Sequence, residues 1–206
     1  MSKRTLSIAA ILGLALLAAG CAQTPQQTGF LSTYANLQSV SSTRLNYIGP
    51  DVGNYSKFIL DPVQTTFYDN EGTQDIAPED IDHLKQYMYE AIVKAMSDKY
   101  TLVSDPGPGV ARIRIAITNL KASTPALNII PQTKMTGLGL GQASVEAELV
   151  DSQTGQQLAA VIDSETGSRF SFSGLSKWGD VEAVMNDWAA RWVSRLDEIH
   201  AQKAAS

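Results

Sequence analysis

The sequence predicts an α+β fold: a mostly antiparallel sheet with two long helices packed on one face, preceded by a signal peptide and a flexible tether. Three observations predict it. Val110–Leu120 and Gln142–Asp151 alternate apolar and polar residues with period two, the pattern of strands with one face on a core. Segments beginning at Pro78 and at about Asp180 repeat apolar residues three and four apart, the stripe of a helix lying on a sheet. The order is strand, helix, four strands, helix. Helices that do not alternate with strands favour α+β over a doubly wound parallel sheet.

The chain opens on a leader. Lys3 and Arg4 precede an apolar run, Leu6–Leu17, which is followed by Ala18, Ala19, Gly20 and Cys21. The run is too short for a transmembrane span of roughly 20 residues and has the layout of a secretory signal. Small residues before a lone cysteine form a lipobox, cut between Gly20 and Cys21, with the Cys21 thiol carrying the lipid. Ala18 stands where leucine is commonest. Two or three acyl chains, each adding about 0.8 kcal/mol per buried CH₂, give stable anchoring. The absence of Asp after the cysteine favours the outer membrane, facing the periplasm. Three parts follow: 1–20, a cleaved leader; 21–56, a lipidated N-terminus, tether and docked arm; 57–206, an α+β domain.

Ala22–Gly29 is rich in Gln, Thr and Pro and reads as a flexible tether. Phe30, Leu31, Tyr34 and Leu37 put apolar groups at helix-like spacing and pin the arm to the domain. Ser39–Ser56 reads as loop. Lys57–Tyr68 reads as a strand interrupted by Pro62, which lacks an amide hydrogen, and Asp69–Asp75 as a turn. Pro78 suits the first helical position, with Glu79 and Asp80 complementing the helix dipole. Ile81, Leu84, Met88, Ala91, Ile92 and Ala95 share one face, Glu90 and Lys94 pair on the solvent side, and the helix stops near Asp98.

Tyr100–Val103 reads as a short strand and Asp105–Gly109 as a turn. Ala111, Ile113, Ile115 and Ile117 face the core, opposite Arg112, Arg114 and Thr118. In the next strand Ala143, Val145, Ala147 and Leu149 face inward, with Glu146 and Glu148 outward, where the arginine row can meet them. Asp151-Ser152-Gln153-Thr154-Gly155 makes a hairpin turn into Gln157–Asp163. The similar Asp163-Ser164-Glu165-Thr166-Gly167 reads as a second turn of the same chemistry. Ser168–Lys177 is a loop carrying Phe170 and Phe172. The last helix runs from about Asp180 to Ala201, striped by Val181, Val184, Met185, Trp188, Trp192, Leu196 and Ile199.

Composition narrows the function. The chain has 16 Lys and Arg against 21 Asp and Glu, a net charge of −5. Losing Lys3 and Arg4 with the leader takes it to −7. Such a balance gives no footprint for nucleic acid or anionic lipid, so attachment rests on the Cys21 lipid. One cysteine permits no internal disulfide. The two histidines, His83 and His200, stand in no metal-ligand or triad pattern. Gly137-Leu138-Gly139-Leu140-Gly141 precedes a strand and lacks the lysine of a phosphate loop, so it reads as a flexible loop. No cofactor, metal or catalytic residue is expected. The Ser123–Leu140 connection is long, and long connections are often functional. Its Leu127, Ile129, Ile130, Met135 and Leu138 either fold back on the core or face a partner or lipid.

Several stretches resemble the bacterial lipoprotein family known as domain of unknown function 3313. They are Gly29-Phe30-Leu31 with Tyr34 and Leu37; Leu60-Asp61-Pro62-Val63; Asp105–Val110; Glu146–Gly155 running into Leu158-Ala159-Ala160; and Trp178-Gly179-Asp180-Val181-Glu182. Thr33 stands where the family often has an acidic residue. The resemblance implies envelope lipoproteins with no assigned activity. Together these readings point to a non-enzymatic envelope lipoprotein with an unknown protein partner in transport or assembly. The alternative is a small-molecule or lipid-binding module with a pocket under the 123–140 and 168–178 loops.

Overall fold

A computed structural model describes residues 25–67 and 75–205. Gly20, Cys21, the leader and nearly all of the expected 69–75 turn lie outside these residues. The elements are β1 (Gln38–Ser41), β2 (Arg44–Ile48), β3 (Lys57–Leu60), β4 (Gln64–Thr65), α1 (Pro78–Met96), β5 (Thr101–Leu102), β6 (Val110–Lys121), α2 (Pro125–Ile129), α3 (Pro131–Thr136), β7 (Gln142–Asp151), β8 (Gln157–Thr166) and α4 (Gly179–Ala204). One eight-stranded sheet runs β1-β2-β8-β7-β6-β3-β5, with β4 also paired to β6. The strands from β1 to β6 pair antiparallel, while β3 and β4 run parallel to β6 and β3 runs parallel to β5. The sheet is therefore mixed, antiparallel from the β1 edge through β6 and parallel at the β5 edge.

The helical face is as the periodicity predicts. Ala111, Ile115, Ile117, Ala143, Val145 and Ala147 meet Leu84, Met88 and Ile92 of α1 and Val181, Val184, Met185 and Trp188 of α4 in one core. Trp188 is fully buried. Ile81 and Ala95 are only half-buried, and Met96 completes the stripe of α1 instead. Glu90 accepts from Gln86 at 2.8 Å. Pro62 divides the expected first strand into β3 and β4. Asp61 keeps continuity there: its amide donates to Ile113 and its carboxylate accepts from Arg112.

The opposite face departs from the sequence expectation. Glu146 and Glu148 point away from the helices, yet they are 0% and 3% exposed. The arm, residues 25–37, covers them. The Glu146 carboxylate accepts the Thr28 amide at 2.6 Å and the Tyr34 hydroxyl at 2.6 Å. The Tyr34 hydroxyl in turn accepts the amides of Gly29 and Leu31. Glu148 accepts from Ser32, from Gln157 and, in the expected strand pairing, from Arg114. Arg114 also lies 5.0 Å over the Phe30 ring. Burying a carboxylate is tolerated only when it is paired and hydrogen-bonded, and the arm supplies those partners. Burial and the neighbouring Glu146 charge push the Tyr34 hydroxyl above its ordinary pKa. Leu31 completes a second small core with Leu45, Ala160 and Ile162, flanked by Phe30, Tyr34 and Leu37. The apolar spacing pins the arm as expected, but the segment is irregular and not helical.

Two further expectations are corrected. Ser39–Ser56 contains the β1–β2 hairpin and a 3-10 turn at Val52–Asn54, not loop throughout. β2 forms because its Leu45 faces the second core while its backbone completes the open edge of β8. The repeated five-residue pattern folds in two ways. At 151–155 it is a turn: Asp151 accepts from Gln153, Thr154 and Tyr55, which lowers its carboxyl to about 2. At 163–166 it is strand, and Asp163 is fully buried against Arg44 at 2.7 Å and the Trp188 indole at 3.1 Å. Burial raises the Asp163 carboxyl against the pull of Arg44. Pairing with β2 on one side and β7 on the other carries β8 through the second pattern, overriding its turn chemistry.

Candidate functional site

At one end of the sheet, β6 finishes, β7 begins, β8 finishes and α4 begins. The connections 122–141 and 167–178 meet there around Asp180. This residue sits in the first turn of α4 and is fully buried. Its Oδ2 accepts from Ser123 Oγ at 2.9 Å and the Gly141 amide at 3.0 Å, and its Oδ1 accepts from Ser173 Oγ at 2.6 Å. One carboxylate thus ties both connections to α4. The site needs glycines for room. A Cβ on Gly167 would fall 2.3 Å from Asp180 Cγ, and one on Gly174 2.7 Å from Asp180 Oδ2. Asn128 adds a second tie, donating to Gly139 O at 2.9 Å and Gly174 O at 2.8 Å. The 137–141 glycines form a loop that takes part in this arrangement and is, as the sequence reading has it, no phosphate loop. Gly137 caps α3 with φ +78°, and Gly141 packs beside Asp180.

On this frame α2 and α3 hold an apolar platform. Ile129, Ile130, Met135 and Leu138 are exposed, and Leu127 is half-buried against Gly139. The fold-back alternative is overturned for these four exposed side chains, and only Leu127 turns partly inward. Phe170, Phe172 and Leu175 join them from the second connection, with the two phenylalanines 81% and 78% exposed. Ile129, Met135, Phe172 and Leu175 line one shallow hollow. Lys134 bonds Ser171 O and lies 4.9 Å over the Phe172 ring, and Arg169 bonds Met135 O. Of nine large apolar side chains exposed among the described residues, seven stand here, so the exposure is a local property of this end and not a general one.

Elsewhere the geometry is quieter. His83 is exposed and sits 2.8 Å from Glu182; His200 lies between the carbonyls of Leu196 and Tyr55. Among the described residues no group of three His, Cys, Asp or Glu side chains could hold a metal ion, and no helix is long and apolar enough to cross a membrane. The hollow under the 123–140 and 168–178 loops, where the sequence places a pocket, has a volume of about 400 Å³. A distinct apolar cavity of about 310 Å³ lies between α4 and the β2–β8 side of the sheet, lined by Tyr47, Ala159, Val161, Trp192, Leu196 and Ile199. The sequence gives no signal for it, because it arises where α4 ends its cover of a sheet that β2 has widened.

The family model described as "Protein of unknown function (DUF3313)" matches residues 26–192. The chain belongs to the DUF3313 family. The match begins in the arm and ends in α4, so it spans both the buried glutamates and the Asp180 frame. Solved structures similar to this DUF3313 chain include the following three. The PelC dodecamer from Paraburkholderia phytofirmans is 13% identical, with 75% of this chain and 96% of that chain covered and a TM-score of 0.47. Protein XCC0632 from Xanthomonas campestris is 9% identical, covering 78% and 96%, with a TM-score of 0.42. Lipoprotein GNA1162 from Neisseria meningitidis is 17% identical, covering 65% and 96%, with a TM-score of 0.28. No curated protein matches the chain in sequence.

Replacing Asp180 by Ala strands two hydroxyls and an amide and should cost roughly 2–4 kcal/mol in urea unfolding. Limited proteolysis should then cut first within 122–141 and 167–178. Wild-type stability and an unchanged cutting pattern would show that Asp180 does not hold the platform.

Proposed function

We propose that this chain is a non-enzymatic, lipid-anchored envelope lipoprotein, held on the outer membrane facing the periplasm by acyl chains on Cys21. It acts by contact, as an accessory of a transport or assembly system. The observation that carries the reading is the leader: a basic start, an apolar run and small residues ending at the sole cysteine of the chain. The use of its polar residues supports it. The buried Glu146, Glu148, Asp163 and Asp180 are each committed to arginines, hydroxyls or amides that hold segments together.

A second reading, binding of an apolar small molecule, is favoured by the cavity under α4. Its volume falls at the small end of ligand sites, which run to roughly 300–1,000 Å³. Arg44, Arg191 and Arg195 stand around it, the first two engaged with Asp163 and Glu165. Native mass spectrometry of the purified protein should then show a bound apolar mass that Ala159→Phe removes. A ligand-free spectrum in both proteins would exclude this reading.

Cys21→Ser should leave an unlipidated precursor that no longer partitions into detergent; unchanged partitioning would refute the anchor. Crosslinking in intact cells should trap wild-type protein with a discrete envelope protein in fixed stoichiometry. Recovery of lipid and bulk envelope protein alone would refute the accessory role.

A further inference from the structure

The position of the arm on the sheet bears on where the anchor lies. Thr28 bonds Glu146, Ser32 bonds Glu148, and the Thr33 carbonyl accepts from Gln157, which pairs with Val150. The arm therefore advances in the direction of β7, and its N-terminal end points toward Gln142. Gln142 opens β7 at the platform end, four residues from Glu146 or about 14 Å at strand rise. Cys21 precedes Thr28 by seven residues, at most about 25 Å of chain. The chain length from Thr28 thus lets Cys21 reach the platform end.

The platform end also has the chemistry of a bilayer contact. Between residues 122 and 141, and between 167 and 178, the chain carries Lys134, Arg169 and Lys177 and no Asp or Glu, although the whole chain is net negative. The composition of the whole chain conceals this local reversal. Exposed isoleucines and phenylalanines beside Lys134 and Arg169 match the interfacial zone, where apolar and aromatic groups enter the acyl boundary and cations meet lipid phosphates, while Lys177 is paired with Asp80 of α1. At the far end of the sheet Asp51 and Asp105 are exposed and Asp151 lies on the turn, with Lys57 and Lys99 also exposed.

We infer that the platform of Ile129, Ile130, Met135, Leu138, Phe170 and Phe172 seats on the lipid bilayer, and so fixes the end-on orientation of the domain. This deepens the lipoprotein reading and rests on it. The anchor supplies attachment; the platform supplies orientation. The 151–155 hairpin then points away from the membrane, free for protein contacts.

The test uses the lipidated protein in vesicles of phosphatidylethanolamine and phosphatidylglycerol. Lipid occupies the Cys21 thiol, so Phe172→Cys or Gln153→Cys introduces one nitroxide site. Both positions are exposed, so neither change disturbs the core. Oxygen and nickel-chelate accessibility by electron paramagnetic resonance should place the Phe172 label at or below the phosphates and the Gln153 label in water. Adding two negative charges with Ile129→Asp and Phe170→Asp should return the Phe172 label to water while the protein stays on the vesicles. Two water-exposed labels on vesicle-bound protein would overturn the platform proposal alone. A Phe172 label that is immobilised only when detergent-extracted envelope protein is added would overturn it in favour of a protein partner. Failure of the lipidated protein to stay on the vesicles would overturn the anchor reading and the seat with it.

Discussion

Two buried carboxylates organise this protein. Glu146 and Glu148 sit side by side on the central strand, on the face the helices do not cover. Left bare, that face would be wet and the sheet would have one core. The arm arrives with amides, a serine and a tyrosine hydroxyl, and the face becomes interior. Gln157 and Arg114 close the remaining acceptor positions from the strands themselves. A chain with no disulfide thereby gains a second core, and its N-terminal segment becomes a third layer of the structure. Removing a partner would leave a buried charge unmet, which costs far more than the pair contributes when intact. The arrangement is therefore an all-or-none lock on the arm.

The lock has a geometrical consequence. An arm held in one register enters the sheet from one end, and Cys21 precedes Thr28 in that arm by seven residues. At the same end a second buried carboxylate, Asp180, gathers two connections into a rigid apolar platform. The fold thus uses the same device twice, a charged group satisfied by backbone amides and hydroxyls, to fix where chain segments go. The stretches that carry the family resemblance fall largely on these devices. Gly29 to Leu37 is the arm, Glu146 to Gly155 contains its receptors and the Asp151 turn, and Trp178 to Glu182 contains the pin. Asp61 and Pro62 set the break between β3 and β4.

Much of this was legible in the sequence. Strict alternation placed β6 and β7 and their inward faces, and helical spacing placed α1 and α4. What alternation cannot report is whether the polar face of a strand is wet. Glu146 and Glu148 read as solvent-facing because nothing local shows that residues more than a hundred positions earlier will cover them. The 163–167 pattern read as a turn because turn chemistry is local, whereas the strand pairing that overrides it is not. The β1–β2 hairpin escaped notice for a similar reason: Ser39 and Asn46 hold an edge position that needs few apolar residues. Of the candidate site, the 123–140 connection and its apolar residues were visible. Their convergence with Phe170 and Phe172 depends on Asp180 and Asn128, polar residues whose roles only the folded arrangement reveals.

The most direct test of this account is hydrogen–deuterium exchange at the arm. If the arm is a locked layer, the amides of Thr28, Gly29, Leu31 and Ser32 should exchange with protection approaching that of β7, since opening them would expose both glutamates. Tyr34→Phe, which removes the hydroxyl shared by two of those amides and Glu146, should accelerate all four together while β6 and β7 stay slow. Exchange of the arm amides at unprotected loop rates in the wild-type protein would contradict it.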